Sequence, residues 1–331
     1  MLRAWNASVE RQVRAYSGWH LPLAAGRTII ALAQISILLL TPASALFVPV
    51  AGGEAMSTCD RTLVFLSPYC WFDGAEQAVS IAVVVALVWV ASGFLPQVSG
   101  FVHAWLSFSF AQAISLPDGG DYVAQVVTIF LAFVSLGHNR LWYWQRPREE
   151  TSVTSVRAAV GVGAMWAVRL QIAWIYLNSG LSKISVGEWQ EGSAIYYVTR
   201  MEWFGSAGIL GDLVMWATSL PGVALAVTWG TIVGECAIAV LILLPRRVPA
   251  VAWAISAALH LGIVVVIGLF SFGFIMIGAV LAAAAPGVAI VLDDLRRWRV
   301  RRREHRPEPE PGSEPEPGSE PVAELENAGS V

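Results

Sequence analysis

Eight long apolar stretches, separated by short polar segments, limit what this chain can fold into. They span residues 28–50, 76–95, 101–116, 122–137, 158–181, 223–244, 249–269 and 272–292. A helix needs about 20 apolar residues to cross a bilayer core, and most of these stretches are close to that length, whereas the third, 101–116, is short. Charged residues make up 14% of the chain and the mean hydropathy is +0.61, whereas a soluble domain carries roughly 25% charged residues. The sequence therefore predicts an all-α fold, a polytopic integral membrane helix bundle with about eight transmembrane helices.

The distribution of arginines predicts how this bundle is oriented. With the N-terminus placed in the cytoplasm, four arginines fall in the cytoplasmic segment 1–27 and four in segment 138–157. Two more form the Arg246-Arg247 turn, and seven fall in segment 296–306. Because positive residues accumulate in cytoplasmic segments, we expect both termini in the cytoplasm. The arginines flank the membrane and form no separate patch, which argues against a nucleic-acid partner.

Three regions follow from this layout. Residues 1–27 form an amphipathic cytoplasmic lead-in, and residues 28–295 form the transmembrane domain. Residues 296–331 begin with basic residues and continue into two EPEPGS repeats. Proline prevents helix formation there and the charges prevent burial, so we expect an extended, disordered tail. Within the transmembrane domain, the apolar segment 194–220 is interrupted by glycines and is interpreted as interfacial or re-entrant helices.

Lys183 is the only lysine in the chain; the other twenty basic residues are arginines. It follows an apolar helical run that we interpret as ending in a break at Ser179-Gly180, and a turn from Trp189 to Gly192 comes next. Unlike arginine, a desolvated lysine can lose its proton and act as a base or a nucleophile. The alternative is a lysine at a helix end that extends its amine to the membrane surface.

Several ionisable residues fall inside the predicted spans, where each costs a few kcal/mol unless it is paired or faces a wet cavity. Glu235 and Arg169 are predicted to neutralise one another. His260 is either part of a site or a core histidine with satisfied hydrogen bonds. Arg169, Tyr176 and Lys183 are spaced by seven residues, which places them near one helix face.

A DGGD turn, Asp118 to Asp121, precedes the fourth stretch. As a structural feature, Asp121 would cap the fourth span while the glycines permit a tight turn. As a functional feature, Asp118 and Asp121 would place two carboxylates on the same outer face as Lys183. The residues alone leave both interpretations open.

Cys59 and Cys70 lie eleven positions apart in a loop that the predicted topology places outside the cytoplasm. An oxidising compartment and short spacing favour a structural disulfide. Two free thiols or a redox-active pair are the alternatives.

The residues around Lys183 resemble a known membrane family. The matching positions are Gln171, Tyr176, Ser179, Gly180, Lys183, Trp189, Glu191 and Gly192, followed by His260, Ser271 and Met276 in a later helix. They are similar to the membrane core of the vitamin K-dependent γ-glutamyl carboxylases, the horizontally transferred transmembrane domain. Within that superfamily, the DGGD turn and the eight-span layout most resemble the sporulation-delaying protein B family. Where the carboxylases carry a histidine beside this turn, the chain has Gly120.

The resemblance implies a membrane protein that helps to mature a secreted peptide toxin from its precursor in the bacterial cell (plasma) membrane. We predict an outer-face polar pocket in which Lys183, His260 and Asp121 are catalytic. The predicted substrate-binding residues are Asp118, Arg169, Tyr176, Trp189, Glu191 and Glu235. The lipid bilayer, a peptide precursor and a companion maturation protein are the expected partners, no metal site is predicted, and no cofactor is identified. The alternatives are a carboxylase-like enzyme acting on a quinone or lipid, a small-solute transporter, and a non-catalytic scaffold or immunity protein.

Overall fold

The apolar stretches form helices. The structure is a computed structural model that describes residues 10, 12–14, 16, 20–48, 59, 63–72, 74–138, 140–145, 155–202 and 204–304. The chain divides into two units, Met1–Leu292 and Asp293–Val331. The predicted lead-in 1–27 is described only in part, and the predicted disordered tail lies outside the described residues from position 305 onwards.

Eight helices of 17 or more residues occur in the described part of the chain, and they are labelled α1 to α8. Their bounds are Leu21–Leu40 (α1), Glu76–Ser92 (α2), Pro96–Ala113 (α3), Gly119–Ser135 (α4), Ser155–Lys183 (α5), Pro221–Leu241 (α6), Val248–Ile267 (α7) and Phe270–Glu304 (α8). Five of them, α1 and α5 to α8, are long and apolar enough to cross a membrane. No strand occurs among the described residues. The predicted all-α polytopic membrane helix bundle is confirmed.

The three remaining helices, α2, α3 and α4, have 17, 18 and 17 residues. At 1.5 Å per residue they are about 26 Å long, slightly less than the hydrocarbon core of about 30 Å. Each of the eight predicted stretches overlaps one of the eight helices, so the short third stretch is also a helix. Sequence neighbours pack against each other, as in α1 with α2, α3 with α4 and α5 with α6.

The prediction for the first span, 28–50, has the wrong bounds. Helix α1 begins at Leu21 and ends at Leu40. Pro22 fits the first helical turn, where no backbone N–H is needed. Pro42 ends the helix, because it forces the preceding Thr41 into an extended conformation, with φ −114° and ψ 122°.

Helix α8 lies at the centre of the unit Met1–Leu292. Every residue from 275 to 285 is buried, on all sides of the helix. Four of these positions, 282–285, are consecutive alanines. Without a hydrophobic driving force between helices in lipid, small residues that allow close backbone approach hold such bundles together. The backbone of α8 approaches α1 closely, because a Cβ on Gly278 would lie 2.7 Å from the carbonyl oxygen of Gly26.

Buried polar contacts connect α1 to α3. The guanidinium of Arg27 donates to the Ser99 hydroxyl at 2.8 Å and to the Pro96 carbonyl at 3.3 Å. About two turns further along α1, Gln34 donates to the Ser107 hydroxyl at 3.0 Å. Such interhelical hydrogen bonds each contribute roughly 0.6–2 kcal/mol, and they fix the rotation of α1 against α3.

The two ends of the bundle carry different features, and we call them the Lys183 end and the Arg246 end. At the Lys183 end, α5 finishes, α6 begins, and the DGGD turn lies against Phe272 at the start of α8. The opposite, Arg246 end carries the turn between α6 and α7. The segment that joins α5 to α6 contains the short helices Gly187–Gln190, Ala194–Val198 and Gly208–Ser219. The predicted segment 194–220 is therefore made of short helices.

The predicted Cys59–Cys70 disulfide is confirmed. The two Cα atoms lie 5.7 Å apart. The loop is held to the bundle because the Tyr69 hydroxyl pairs with Ser80 of α2 at 3.2 Å, and the Trp105 indole of α3 donates to the Leu66 carbonyl at 3.0 Å. The disulfide thus belongs to a loop packed on α2 and α3.

The contact between α1 and α8 predicts opposite effects for two glycine substitutions. Gly278→Ala places a methyl group against backbone atoms of Gly26, which cannot rotate away, so we expect a lower thermal unfolding midpoint in detergent. Gly262→Ala is the control, because nothing lies within 4 Å of its added Cβ and alanine favours a helix over glycine by roughly 0.5–1 kcal/mol. Equal midpoints for the two variants would contradict the close contact.

Candidate functional site

Lys183 ends α5 and points back along its own helix. Its amine donates to both carboxylate oxygens of Glu235 in α6, at 2.7 and 2.8 Å. The same amine lies 2.7 Å from the hydroxyl of Ser179 and 3.3 Å from its carbonyl oxygen. The side chains of Lys183 and Glu235 are 19% and 9% exposed. The lysine is therefore turned into the bundle and does not extend to the membrane surface.

The predicted break at Ser179-Gly180 does not exist, because α5 continues without interruption to Lys183. Gly180 serves packing instead: a Cβ there would lie 3.0 Å from the Cys236 sulfur and 3.5 Å from the Glu235 Cβ. The missing side chain lets α6 approach α5 closely. Ser179 then donates to Glu235 Oε1 at 3.1 Å and completes the contact around the ion pair.

The predicted pairing of Glu235 with Arg169 is wrong. Glu235 pairs with Lys183, and Arg169 donates through Nε to the Ala283 carbonyl of α8 at 3.0 Å. The seven-residue spacing of Arg169, Tyr176 and Lys183 does put them near one face of α5. It also spreads them over about 21 Å along the helix axis, so Arg169 lies towards the Arg246 end, far from the lysine.

Tyr176 and His260 form a second polar group one helical turn deeper than Ser179. The Tyr176 hydroxyl pairs with His260 Nε2 at 2.8 Å and with the Ser256 hydroxyl, also at 2.8 Å. All three residues are fully or almost fully buried. Tyr176 precedes Ser179 by three and Lys183 by seven residues on α5, so this group and the ion pair lie on one face of that helix. The structure thus brings together four of the predicted site residues: Lys183, Glu235, Tyr176 and His260.

The DGGD turn caps α4, and the capping residue is Asp118; the prediction that Asp121 caps this helix is wrong, because Asp121 lies three residues inside it. The Asp118 carboxylate accepts hydrogen bonds from the backbone N–H groups of Gly120 and Asp121, at 2.7 and 3.0 Å, and Asp121 Oδ2 accepts from the Asp118 N–H at 3.0 Å. Neither carboxylate hydrogen-bonds Lys183 within the part of the chain that the structure describes. The turn touches Phe272, whose ring lies 5.2 Å from the His260 ring. The turn is thus next to Phe272 and His260 and has no hydrogen bond to the lysine among the described residues.

The short helix Gly187–Gln190 supplies one neighbour to the lysine. The Lys183 amine lies 5.3 Å from the centre of the Trp189 ring, within the range of a cation–π interaction. Glu191, one of the predicted substrate-binding residues, is exposed at the end of this helix. Trp189 therefore belongs to the lysine site by contact, whereas the role of Glu191 stays a prediction.

This arrangement of Lys183, Glu235 and Ser179 can perform acid–base chemistry. A lysine amine has three donors, and here they are directed at Glu235 and Ser179. In a low-dielectric interior the two charges interact strongly, and a proton can pass from the ammonium to the carboxylate. Such a pair can give a proton to a substrate group or accept one from it. Within the described residues, no group of three or more His, Cys, Asp or Glu side chains could hold a metal ion.

The sequence analysis did not predict two polar partners of the site residues, Ser179 and Ser256. Ser179 lies four residues before Lys183, and Ser256 lies four residues before His260. Residues four apart share a helix face. A serine at that spacing from an ionisable residue within an apolar span is the signal that could have identified both.

The ion pair predicts a specific coupling between two substitutions. Lys183→Met or Glu235→Met should lower the free energy of unfolding in detergent by about 3 kcal/mol each, because the remaining charge loses its partner inside the bundle. The double variant should cost much less than the sum. As a control, Arg169→Met and Glu235→Met should be additive within roughly 0.5 kcal/mol. Additive losses for Lys183 and Glu235 would contradict the pairing.

Comparison with known proteins finds two relatives in Bacillus subtilis (strain 168). The chain is 28% identical over 265 residues to the uncharacterized protein YitO, covering 78% of this chain and 84% of YitO. It is 25% identical over 288 residues to the sporulation-delaying protein SdpB, covering 84% of this chain and 85% of SdpB. No family model and no solved structure matches the chain. The similarity to SdpB supports the resemblance to the sporulation-delaying protein B family, whereas the wider relationship to the carboxylases stays a prediction.

Proposed function

We propose that this protein is an integral membrane maturation factor for a secreted peptide toxin. The observation that carries the proposal is the similarity to SdpB, which extends over 84% of the chain and includes the helix that ends at Lys183. The name of that relative refers to delayed sporulation, and the family resemblance adds the maturation of a peptide toxin. The partners under this proposal are the bilayer, a peptide precursor and a companion maturation protein.

The proposal includes an orientation in the bacterial cell membrane. Both termini and the Arg246 end face the cytoplasm, and the Lys183 end faces outwards. The arginine distribution supports this orientation. The Cys59–Cys70 disulfide supports it independently, because disulfides persist outside the reducing cytoplasm, and its loop packs on the end of α2 opposite to the Arg246 turn. The site would then be reached from the side where a secreted peptide emerges.

Under this proposal, Lys183 and Glu235 carry out the proton transfer. The amine is buried enough to be shielded from bulk water, yet its side chain is 19% exposed, so a substrate group can still reach it. Tyr176 and His260 would accept or return a proton behind the pair. Asp121 and Asp118 would hold the turn beside Phe272 and thereby position His260. The regions 28–295 and 296–331 would serve as the membrane domain and its cytoplasmic tail.

The Lys183→Arg variant tests whether the lysine acts by proton transfer or only by its positive charge. Arginine can form a bidentate contact with Glu235 but does not lose its proton. We therefore expect normal expression and membrane insertion together with loss of mature peptide, as complete as in Lys183→Ala. The measurement is the mass and yield of secreted peptide from cells that carry the gene together with that of the peptide precursor.

Arg200→Lys is the matched control for this experiment. It exchanges the same two residue types on the segment between α5 and α6, where Arg200 donates to the Met215 carbonyl at 2.7 Å, and it should leave the peptide yield unchanged. Full peptide yield from Lys183→Arg at normal expression would show that only the positive charge matters. That result would end the acid–base role of Lys183.

A further inference from the structure

A cavity of about 460 Å³ lies at the Arg246 end, between α1, α4, α5 and α8 and beside the turn that joins α6 to α7. Its volume falls within the range of small-molecule sites, which is roughly 300–1,000 Å³. Much of its wall is apolar, formed by Leu23, Val134, Met165, Leu243 and Ile290. The cavity is separate from the Lys183 site, so an inference about it does not depend on the proposed function.

Arg169 lines this cavity from inside the membrane span. Its Nε donates to the Ala283 carbonyl, and its guanidinium lies 5.3 Å from the Trp166 ring. Arginine has five N–H donors, so most of them are not used by that one hydrogen bond. Among the described residues that line the cavity, none is acidic. A charge at membrane depth needs a counter-charge or water, and the described lining residues supply no counter-charge.

Arg246 lines the same cavity and is exposed. Its φ is +61°, in the left-handed region that glycine adopts readily and that residues with a Cβ adopt at a cost. Few residues other than glycine occupy this region, so the position of Arg246 is unusual. Together with Arg169, it gives an apolar cavity two cations, one inside the span and one at its mouth.

We propose that the cavity binds one anionic amphiphile, a molecule with a carboxylate or phosphate group on an apolar chain. The two guanidinium groups supply donors for the anionic group, because arginine binds carboxylate and phosphate in a bidentate geometry. The apolar wall accommodates the chain. The position of Arg246 in the turn after α6 lets the molecule enter from the membrane surface at that end.

The test uses the full chain in phosphatidylcholine nanodiscs and measures the binding of tritiated oleate, with empty nanodiscs as background. We expect saturable binding of one oleate per protein. Unlabelled oleate should compete about tenfold better than oleyl alcohol, which has the same chain without the charge. A second set of nanodiscs contains phosphatidylglycerol. Reduced oleate binding there assigns the site to phospholipid, and unchanged binding assigns it to a free carboxylate amphiphile; both results support the proposal.

Two glycine variants at adjacent arginines make the test specific. Arg246→Gly removes the cation from the cavity and suits the left-handed backbone, so folding is preserved while oleate binding should weaken about tenfold. Arg247→Gly makes the same charge change at a residue that does not line the cavity and should leave oleate binding unchanged. The proposal is overturned if oleate does not bind, if oleyl alcohol competes as well as oleate, or if the two glycine variants weaken binding equally.

Discussion

Every polar side chain inside this bundle needs a partner, since lipid offers none, and that constraint determines how the helices are arranged. Arg27 is buried against Ser99, Gln34 against Ser107, Tyr176 against His260, and Lys183 against Glu235. Each of these contacts joins two different helices. The apolar residues make the helices compatible with a membrane, but these few polar contacts decide which helices meet and in which rotation. In the lysine pair, both members carry full charges.

The same constraint explains why function concentrates at two places. At the Lys183 end, a lysine and a glutamate satisfy one another, and a tyrosine and a histidine lie behind them, so proton movement is possible without any external partner. At the Arg246 end, two arginines share an apolar cavity in which the described lining residues include no acid. One site is complete within the protein and the other is completed by a bound molecule. The first lies at the C-terminal end of α5, and the second lies along the N-terminal half of the same helix.

The sequence predicted the helices well because apolar length is a local property. The Cys59–Cys70 disulfide and the prominence of Lys183 were local signals too. The pairing of Glu235 was not a local signal. Spacing along α5 shows which residues share a face of the helix, but not which neighbouring helix covers that face. Both Arg169 and Lys183 offered Glu235 an opposite charge, and only the close approach at Gly180 decides between them. The bounds of α1 were missed because the apolar run continues past Pro42, whereas the helix begins at Leu21 and ends at Leu40.

The contact between Gly26 and Gly278 has a consequence for biosynthesis. The two glycines belong to the first and the last helix of the bundle and lie 252 positions apart in the chain. At roughly 5–20 residues per second, the ribosome needs about 13–50 s to make the second partner after the first. During that interval α1 is already in the bilayer with its Arg27, and Ser99 of α3 is synthesised much sooner than α8. The early helices can therefore assemble around this arginine first, and the core closes only when the last helix inserts among them.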